Sequence, residues 1–213
     1  MKLSIIGMSG SGKSYWSKKL QLAGYYRICC DDLIEKKLSK ELVKLGFRGI
    51  QDVASWMGQP YERRHKRASE TYLRFEKETL DKAIQELPSM KKNVVIDTTG
   101  SVIYIGKRTL DALKKQTTIV FLNVPETVKN EMYKLYLKDP KPVVWGKSFK
   151  KNYGESNLAA LARCYPTLLK YRTLLYQLFA DITMDYQKLR KPGTDVSDFL
   201  RLLHLQLQQS NHL

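Results

Sequence analysis

Residues 7–14 read Gly-Met-Ser-Gly-Ser-Gly-Lys-Ser and match the phosphate-binding pattern G-x-x-x-x-G-K-[ST]. An apolar run containing Leu3, Ile5 and Ile6 precedes the pattern, and a helical pattern follows it from Tyr15 to Ala23. Glycines let the backbone turn sharply and bring its N–H groups close to phosphate oxygens. The N-terminus of the following helix adds a partial positive charge. We therefore predict a strand, a phosphate-binding loop and a helix at the start of an α/β fold.

The residues of this loop have separate expected roles toward a nucleotide. Lys13 can reach the β- and γ-phosphates, and the hydroxyl of Ser14 can ligate Mg²⁺. We therefore expect ATP and Mg²⁺ as cofactors. The expected nucleotide-binding residues of the loop are Gly7, Ser9, Gly10, Ser11, Gly12, Lys13 and Ser14.

Length and composition indicate one globular domain. The chain has 213 residues, of which 43% are hydrophobic, enough for a substantial core. It has no run of about 18 apolar residues, so no membrane-spanning helix is expected. Met1–Ile6 leads directly into the loop, which is not typical of a signal peptide. Three cysteines are too few for a disulfide framework, and we expect a cytoplasmic protein with reduced cysteines.

The charge of the chain predicts attraction to anions. Lysine and arginine number 37 against 21 aspartates and glutamates, a formal net charge of +16. ATP, an acidic substrate and RNA are all compatible with this charge. The lysines are dispersed along the chain, and no RRM or KH pattern is present. We therefore expect a small anionic substrate and a monomer, with nucleic acid as the less favoured partner.

Short apolar runs alternate with helical patterns along the whole chain, which predicts a parallel sheet with right-handed crossovers. The predicted strands are Lys2–Ile6, Tyr26–Cys30, Asn93–Asp97, Thr118–Val124 and Ile182–Asp185. The predicted helices are Lys13–Ala23, Ser69–Glu86, Gly106–Lys115, Glu126–Leu137, Leu158–Phe179 and Asp195–Gln208. We predict irregular structure at residues 45–66 and 138–156, which are rich in glycine, proline and charge.

Several stretches after the loop resemble the shikimate kinase family, within the nucleoside monophosphate kinase-like group. The matching stretches are Asp31–Glu35, Glu70–Leu80, Lys141–Val144, Arg172–Asp185 and Arg190–Pro192. The resemblance implies a five-stranded parallel sheet in the order 2-3-1-4-5. It also implies a substrate-binding insertion at about 32–80 and a lid at about 138–157. Members transfer the γ-phosphate of ATP to a ring hydroxyl of a small anionic molecule.

Two aspartates at predicted strand ends are candidates for chemistry. Asp31 follows a strand end, where α/β sheets bind ligands, and could orient or deprotonate an acceptor hydroxyl. The alternative role of Asp31 is a helix N-cap. Asp97 ends an apolar run in the manner of a Walker B element and could bind Mg²⁺, or it could start a turn. The family usually has an aspartate where this chain has Cys29, and a thiol is a poor Mg²⁺ ligand.

The resemblance also implies the substrate-binding residues. Arg172 matches the arginine that binds the substrate carboxylate, and Thr99 and Gly100 belong to a Thr-Thr-Gly stretch that takes the place of the family's Gly-Gly-Gly substrate loop. A second arginine is either Arg63 or Arg74, because the longer insertion allows two alignments. One of these alignments places Leu73 at the arginine position.

The remaining implied residues lie toward the nucleotide. Lys141 matches the lid arginine that stabilises the transferring phosphoryl group, with charge but without the planar fork. Lys134 and Arg190 match residues that sandwich adenine, and Pro192 packs nearby. We predict an ATP-dependent kinase for a small metabolite. A kinase for a nucleotide or RNA hydroxyl and an inactive ATP-binding module are the alternatives.

Overall fold

The computed structural model describes residues 1–48, 50–139 and 143–210. The strands are β1 (Lys2–Ile6), β2 (Tyr26–Cys29), β3 (Val94–Asp97), β4 (Thr118–Asn123) and β5 (Ile182–Asp185). The helices are α1 (Lys13–Leu22), α2 (Cys30–Lys44), α3 (Ile50–Met57), α4 (Arg63–Glu86), α5 (Lys107–Gln116), α6 (Glu126–Lys138), α7 (Asn157–Phe179), α8 (Tyr186–Leu189) and α9 (Val196–Ser210). Short 3₁₀ turns occupy Leu87–Ser89 and Val102–Tyr104.

The strands form one parallel sheet in the order β2-β3-β1-β4-β5, which confirms the predicted topology. The register places Cys29 of β2 and Ile5 of β1 on either side of Asp97. The carboxyl ends of β1, β2 and β3 therefore meet at one edge of the sheet. The phosphate-binding loop follows β1 at this edge.

Helices cover both faces of the sheet. Neighbouring residues of a strand point to opposite sides, so the apolar strands place side chains on both faces that need to be buried. On one face, Leu3 and Ile5 pack with Trp16 of α1 and Phe199 of α9. On the other face, Ile6 joins a larger cluster that includes side chains from α2, α4 and α7. No helix among the described residues has the length and apolar character needed to cross a membrane.

The prediction of irregular structure at residues 45–66 is wrong in part. Helix α3 lies within that range and buries Val53, Trp56 and Met57, spaced three and four residues apart. Helix α4 begins at Arg63, six residues before the predicted Ser69. A high density of charge hid the helical period there, because most of those charges lie on the exposed side of the helix. In the second segment Lys138 is the last residue of α6, and residues 143–156 contain neither helix nor strand.

Candidate functional site

The phosphate-binding loop has the backbone that its glycines allow. Gly10 and Gly12 adopt φ angles of +80° and +99°, which other residues rarely adopt. Gly12 forms the N-cap of α1, and its carbonyl oxygen accepts a hydrogen bond from the Trp16 N–H at 3.0 Å. A side chain at Gly7 would lie 3.0 Å from the Leu122 carbonyl oxygen, so the loop passes close to β4. The phosphate-binding loop therefore leads directly into the N-terminus of α1.

Lys13 is buried within this loop. Its Nζ atom donates to the backbone oxygens of Gly7 and Met8 at 3.0 and 2.9 Å. Burial lowers the pKa of Lys13, and the carboxylates of Asp31 and Asp97 oppose that shift. The ammonium group therefore lies close enough to both candidate aspartates for their charges to affect its pKa.

Asp97 is held from one side only. Its Oδ2 atom accepts hydrogen bonds from Ser17 at 2.8 Å and from Arg27 at 2.6 Å, whereas Oδ1 is buried and has no partner in the part of the chain that the structure describes. Ser14, the other predicted Mg²⁺ ligand, is exposed in the first turn of α1. A hydroxyl and a free carboxylate oxygen are hard ligands that suit Mg²⁺. These residues fit an ion that also binds nucleotide phosphates, although their metal binding stays a prediction.

Asp31 lies in the first turn of α2, one residue inside the helix, so it is not the residue that caps it. Burial raises the pKa of Asp31, the nearby Lys13 lowers it, and Asp97 raises it. The hydroxyl of Tyr72 lies 3.4 Å from Asp31 Oδ1 and donates to it. A half-buried carboxylate with a raised pKa beside the phosphate loop suits a residue that accepts a proton.

Sequence reasoning missed Glu76, whose carboxyl group is completely buried. The Thr99 hydroxyl donates to Oε1, and the Ser101 hydroxyl donates to Oε2 at 2.6 Å. Burial raises the pKa of Glu76 to about 7, although the two hydroxyl hydrogen bonds lower it. A glutamate on the apolar face of α4, beside Tyr72 and Leu80, was the signal available in the sequence.

The loop after β3 lies between the phosphate-binding loop and α7. A Cβ atom on Gly100 would be 3.3 Å from the Ser9 backbone nitrogen and 3.6 Å from Arg172 Nη1. The Gly100 carbonyl oxygen accepts a hydrogen bond from the Tyr176 hydroxyl at 2.5 Å. The predicted substrate loop therefore touches both the nucleotide loop and the predicted carboxylate-binding arginine.

Arg172 is buried on α7. Its Nη2 atom donates to the Val144 carbonyl oxygen, and its guanidinium carbon lies 5.5 Å from the Tyr104 ring centroid. Its Nε–H is buried and has no hydrogen-bond partner among the described residues. A buried cation with an unused donor suits an anionic ligand.

The structure brings neither Arg63 nor Arg74 into this buried group. Both side chains are exposed, and Arg74 lies over the Phe75 ring at 5.0 Å. Arg74 is two residues from Glu76, about 200° around the helix, so it lies on the outer face. Leu73 packs against the core. Substrate binding by either arginine stays a prediction that this arrangement does not support.

The predicted adenine-binding residues lie on α6 (Lys134) and directly after α8 (Arg190 and Pro192). Arg190 lies beside the phosphate loop, because its Nη2 atom would be 3.6 Å from a Cβ atom on Gly12. Its guanidinium carbon is 5.9 Å from the Tyr15 ring centroid and 5.1 Å from that of Tyr186. Lys134 is exposed and pairs with Glu131, and Pro192 is exposed. The predicted lid cation Lys141 lies outside the described residues.

Solved structures share this architecture over nearly the whole chain. A shikimate kinase from Acinetobacter baumannii in complex with shikimate aligns with a TM-score of 0.56 and 21% identity, covering 100% of this chain and 94% of that chain. The chain has a shikimate kinase-like P-loop kinase fold. The shikimate kinase of Bacteroides thetaiotaomicron aligns with a TM-score of 0.58 and 17% identity, over 96% and 97% of the two chains. That of Aquifex aeolicus aligns at 0.53 and 16%, over 99% and 98%.

This shikimate kinase-like fold has diverged far in sequence. No protein-family model and no curated protein matches the chain. At such identities the likeness establishes the fold, and the activity has to be argued from the residues of the site.

Proposed function

We propose that the protein transfers the γ-phosphoryl group of ATP to a hydroxyl of a small, anionic metabolite. The observation that carries this proposal is the burial of Lys13 in the phosphate-binding loop, within electrostatic reach of Asp31, Asp97 and Arg172. Phosphoryl transfer is catalysed mostly by positioning and charge neutralisation. The cations Lys13 and Arg172 would neutralise charge, and the Asp31 carboxylate would position the acceptor hydroxyl.

In this mechanism the nucleotide phosphates bind the backbone N–H groups of residues 7–14. Lys13 exchanges its contacts with the Gly7 and Met8 carbonyl oxygens for the β- and γ-phosphates. Ser14 and Asp97 are the residues that would hold Mg²⁺. When bound, that ion neutralises charge on the phosphates.

The acceptor lies between Asp31 and Arg172. Arg172 binds its anionic group through the free Nε–H, and Asp31 hydrogen-bonds the reacting hydroxyl. The hydroxyl oxygen forms a new bond to the γ-phosphorus as the bond to the β-phosphate oxygen breaks. The hydroxyl proton passes to Asp31, and the products are ADP and a phosphate ester.

The test is acceptor-dependent ADP formation with Mg-ATP. The acceptor panel contains shikimate, polyols, sugar acids, nucleosides and short RNAs. Wild type is compared with Lys13→Ala and with Lys18→Ala, an exposed lysine on the same helix. ADP formation that only Lys13→Ala abolishes supports the proposal. ATP binding without ADP formation on any acceptor overturns it and favours a nucleotide-binding module.

A kinase acting on a nucleotide or RNA hydroxyl is the second candidate. An exposed basic cluster at the start of α4 favours it, and its members are Arg63, Arg64, Lys66 and Arg67. RNA binding through such a cluster would weaken steeply with salt. ADP formation with short RNAs but not with small metabolites would select this candidate.

A further inference from the structure

Arg27 on β2 closes a small polar network beneath the phosphate-binding loop. Its Nη2 atom donates to Asp97 Oδ2 at 2.6 Å, and its Nε atom donates to Ser17 Oγ at 2.8 Å. The Ser17 hydroxyl donates to the same Oδ2 at 2.8 Å. The Ser17 and Asp97 side chains are almost completely buried, and the Arg27 side chain is 11% exposed. The three side chains therefore fix one another.

The network is unusual for an ion pair because it uses only half of the carboxylate. An arginine fork commonly binds both oxygens of a carboxylate with two parallel hydrogen bonds. Here the fork is divided between Ser17 and Asp97 Oδ2, and none of residues 1–48, 50–139 and 143–210 offers a partner to the buried Asp97 Oδ1. A buried charged oxygen without a donor is costly unless a ligand satisfies it. An ion pair with a purely structural role would not need to leave that oxygen open.

The free oxygen belongs to the edge of the sheet that carries the phosphate loop. Ser17 lies one helical turn after Ser14, and its hydroxyl is 3.2 Å from the Ser14 carbonyl oxygen. The network thus connects Asp97 to the turn of α1 that carries the other candidate Mg²⁺ ligand. Cys29 lies beside Asp97 in the strand register and supplies no hard ligand.

We propose that Arg27 is a positioning residue that, together with Ser17, fixes Asp97 so that its Oδ1 atom faces the Mg²⁺ ion of Mg-ATP. The inference rests on the proposed function. Replacing a partner that orients a metal-binding side chain typically lowers metal affinity by about 10–100-fold. Loss of Arg27 frees the carboxylate to rotate and leaves a buried charge held by one hydroxyl.

The experiment measures metal coupling in place of turnover. The affinity for a non-hydrolysable ATP analogue is determined by calorimetry with Mg²⁺ and again with EDTA, and the ratio of the two is the coupling factor. Mn²⁺ binding to the analogue complex is followed by electron paramagnetic resonance. The variants are Arg27→Met, which keeps the aliphatic stem, and Ser17→Ala. Arg108→Met, at an exposed arginine on α5, is the matched control.

We expect Arg27→Met to reduce the coupling factor and the Mn²⁺ affinity by about tenfold or more. Affinity in EDTA should change less than about twofold, because Arg27 would act on the analogue only through the metal. Ser17→Ala should act in the same direction, and it answers the question if Arg27→Met does not fold. Arg108→Met should match wild type.

Folded variants of both residues with an unchanged or increased coupling factor would overturn the positioning role, and Arg27 would then be a structural ion-pair partner. A wild-type protein that does not bind the analogue at all would instead overturn the proposed function itself. Binding that is equally strong with Mg²⁺ and EDTA in wild type would overturn the positioning role and leave the nucleotide-binding module in place.

Discussion

The Arg172 guanidinium donates from Nη2 to the backbone oxygen of Val144 at 2.5 Å. Arg172 is also the predicted anion-binding residue, and Val144 lies in the segment predicted to be the lid. A Cβ atom on Gly146, two residues further on, would lie 3.1 Å from the Tyr104 ring, over which the Arg172 guanidinium also lies. The buried guanidinium of Arg172 therefore contacts both the Tyr104 ring and the segment that follows α6.

Replacing Arg172 should loosen that segment. Arg172→Met removes the hydrogen bond to Val144 and leaves a buried carbonyl oxygen with one partner fewer, so local opening becomes more frequent. We expect tryptic cleavage after the exposed Lys147 to accelerate severalfold, measured by mass spectrometry of timed digests. Arg108→Met should cleave at the wild-type rate. An unchanged rate in Arg172→Met would mean that other contacts hold the segment.

Asp31 should affect turnover and leave nucleotide binding intact. Asp31→Asn keeps the shape of the side chain but cannot accept a proton, so kcat should fall by about 10²–10⁴-fold. ATP affinity measured by calorimetry should remain close to that of wild type. Asp32→Asn is the neighbouring control, because the Asp32 side chain is 70% exposed. An equal loss of kcat in both variants would mean that the substitutions disturb the start of α2, and that Asp31 does not act as a proton acceptor.

Glu76 should give the protein a pH-dependent stability. Its folded pKa of about 7 lies above the ordinary glutamate pKa of 4.5, so the folded state binds more protons than the unfolded state between those values. Its contribution to the free energy of unfolding is therefore most favourable below about pH 4.5 and is lost as the pH rises through about 7.

The stability of Glu76→Gln measures this contribution, because glutamine stays neutral. From pH 5 to pH 8 the Tm of wild type should fall relative to the Tm of Glu76→Gln, because wild type loses the contribution of the protonated Glu76 over that range. Glu70→Gln, at an exposed position on the same helix, should show no such trend. A pH-independent difference would contradict the raised pKa.

Cys29 should be slow to alkylate in the folded protein. Burial raises its pKa to about 11 from the ordinary thiol pKa of 9.0, so the reactive thiolate is rare at pH 8. We expect iodoacetamide to react about a hundredfold more slowly than with the unfolded chain, since two pKa units separate the states. Peptide mapping distinguishes Cys29 from Cys30 and Cys164. Rapid reaction at pH 8 would show that the strand end opens to solvent.

Local sequence was sufficient where a pattern determines its own backbone. Strands β1 and β5 begin and end where predicted, because short apolar runs bounded by turns have few alternatives. Glycine spacing and the lysine of residues 7–14 predicted the loop for the same reason. Helix α3 was missed because its buried residues Val53, Trp56 and Met57 lie among glycines and charges that suggest a loop.

Local sequence also predicted some of the site residues and not others. Lys13 and Asp31 follow strand ends that the sequence identifies. The partners of Glu76 lie 23 and 25 residues away, at Thr99 and Ser101, and no local pattern connects them. The sequence could not choose between the alignment alternatives Arg63 and Arg74, and the structure shows both side chains exposed on α4.

The sequence by itself determined the phosphate-binding loop, the alternation of strands and helices, and through family resemblance the order of the sheet. These depend on backbone preferences and periodicity over a few residues. Only the tertiary structure decided which polar groups are buried together, such as the ion pair of Arg27 with Asp97 and the hydrogen bond from Ser101 to Glu76. Burial and the pairing of charges depend on contacts between distant segments, and those contacts exist only once the sheet has assembled.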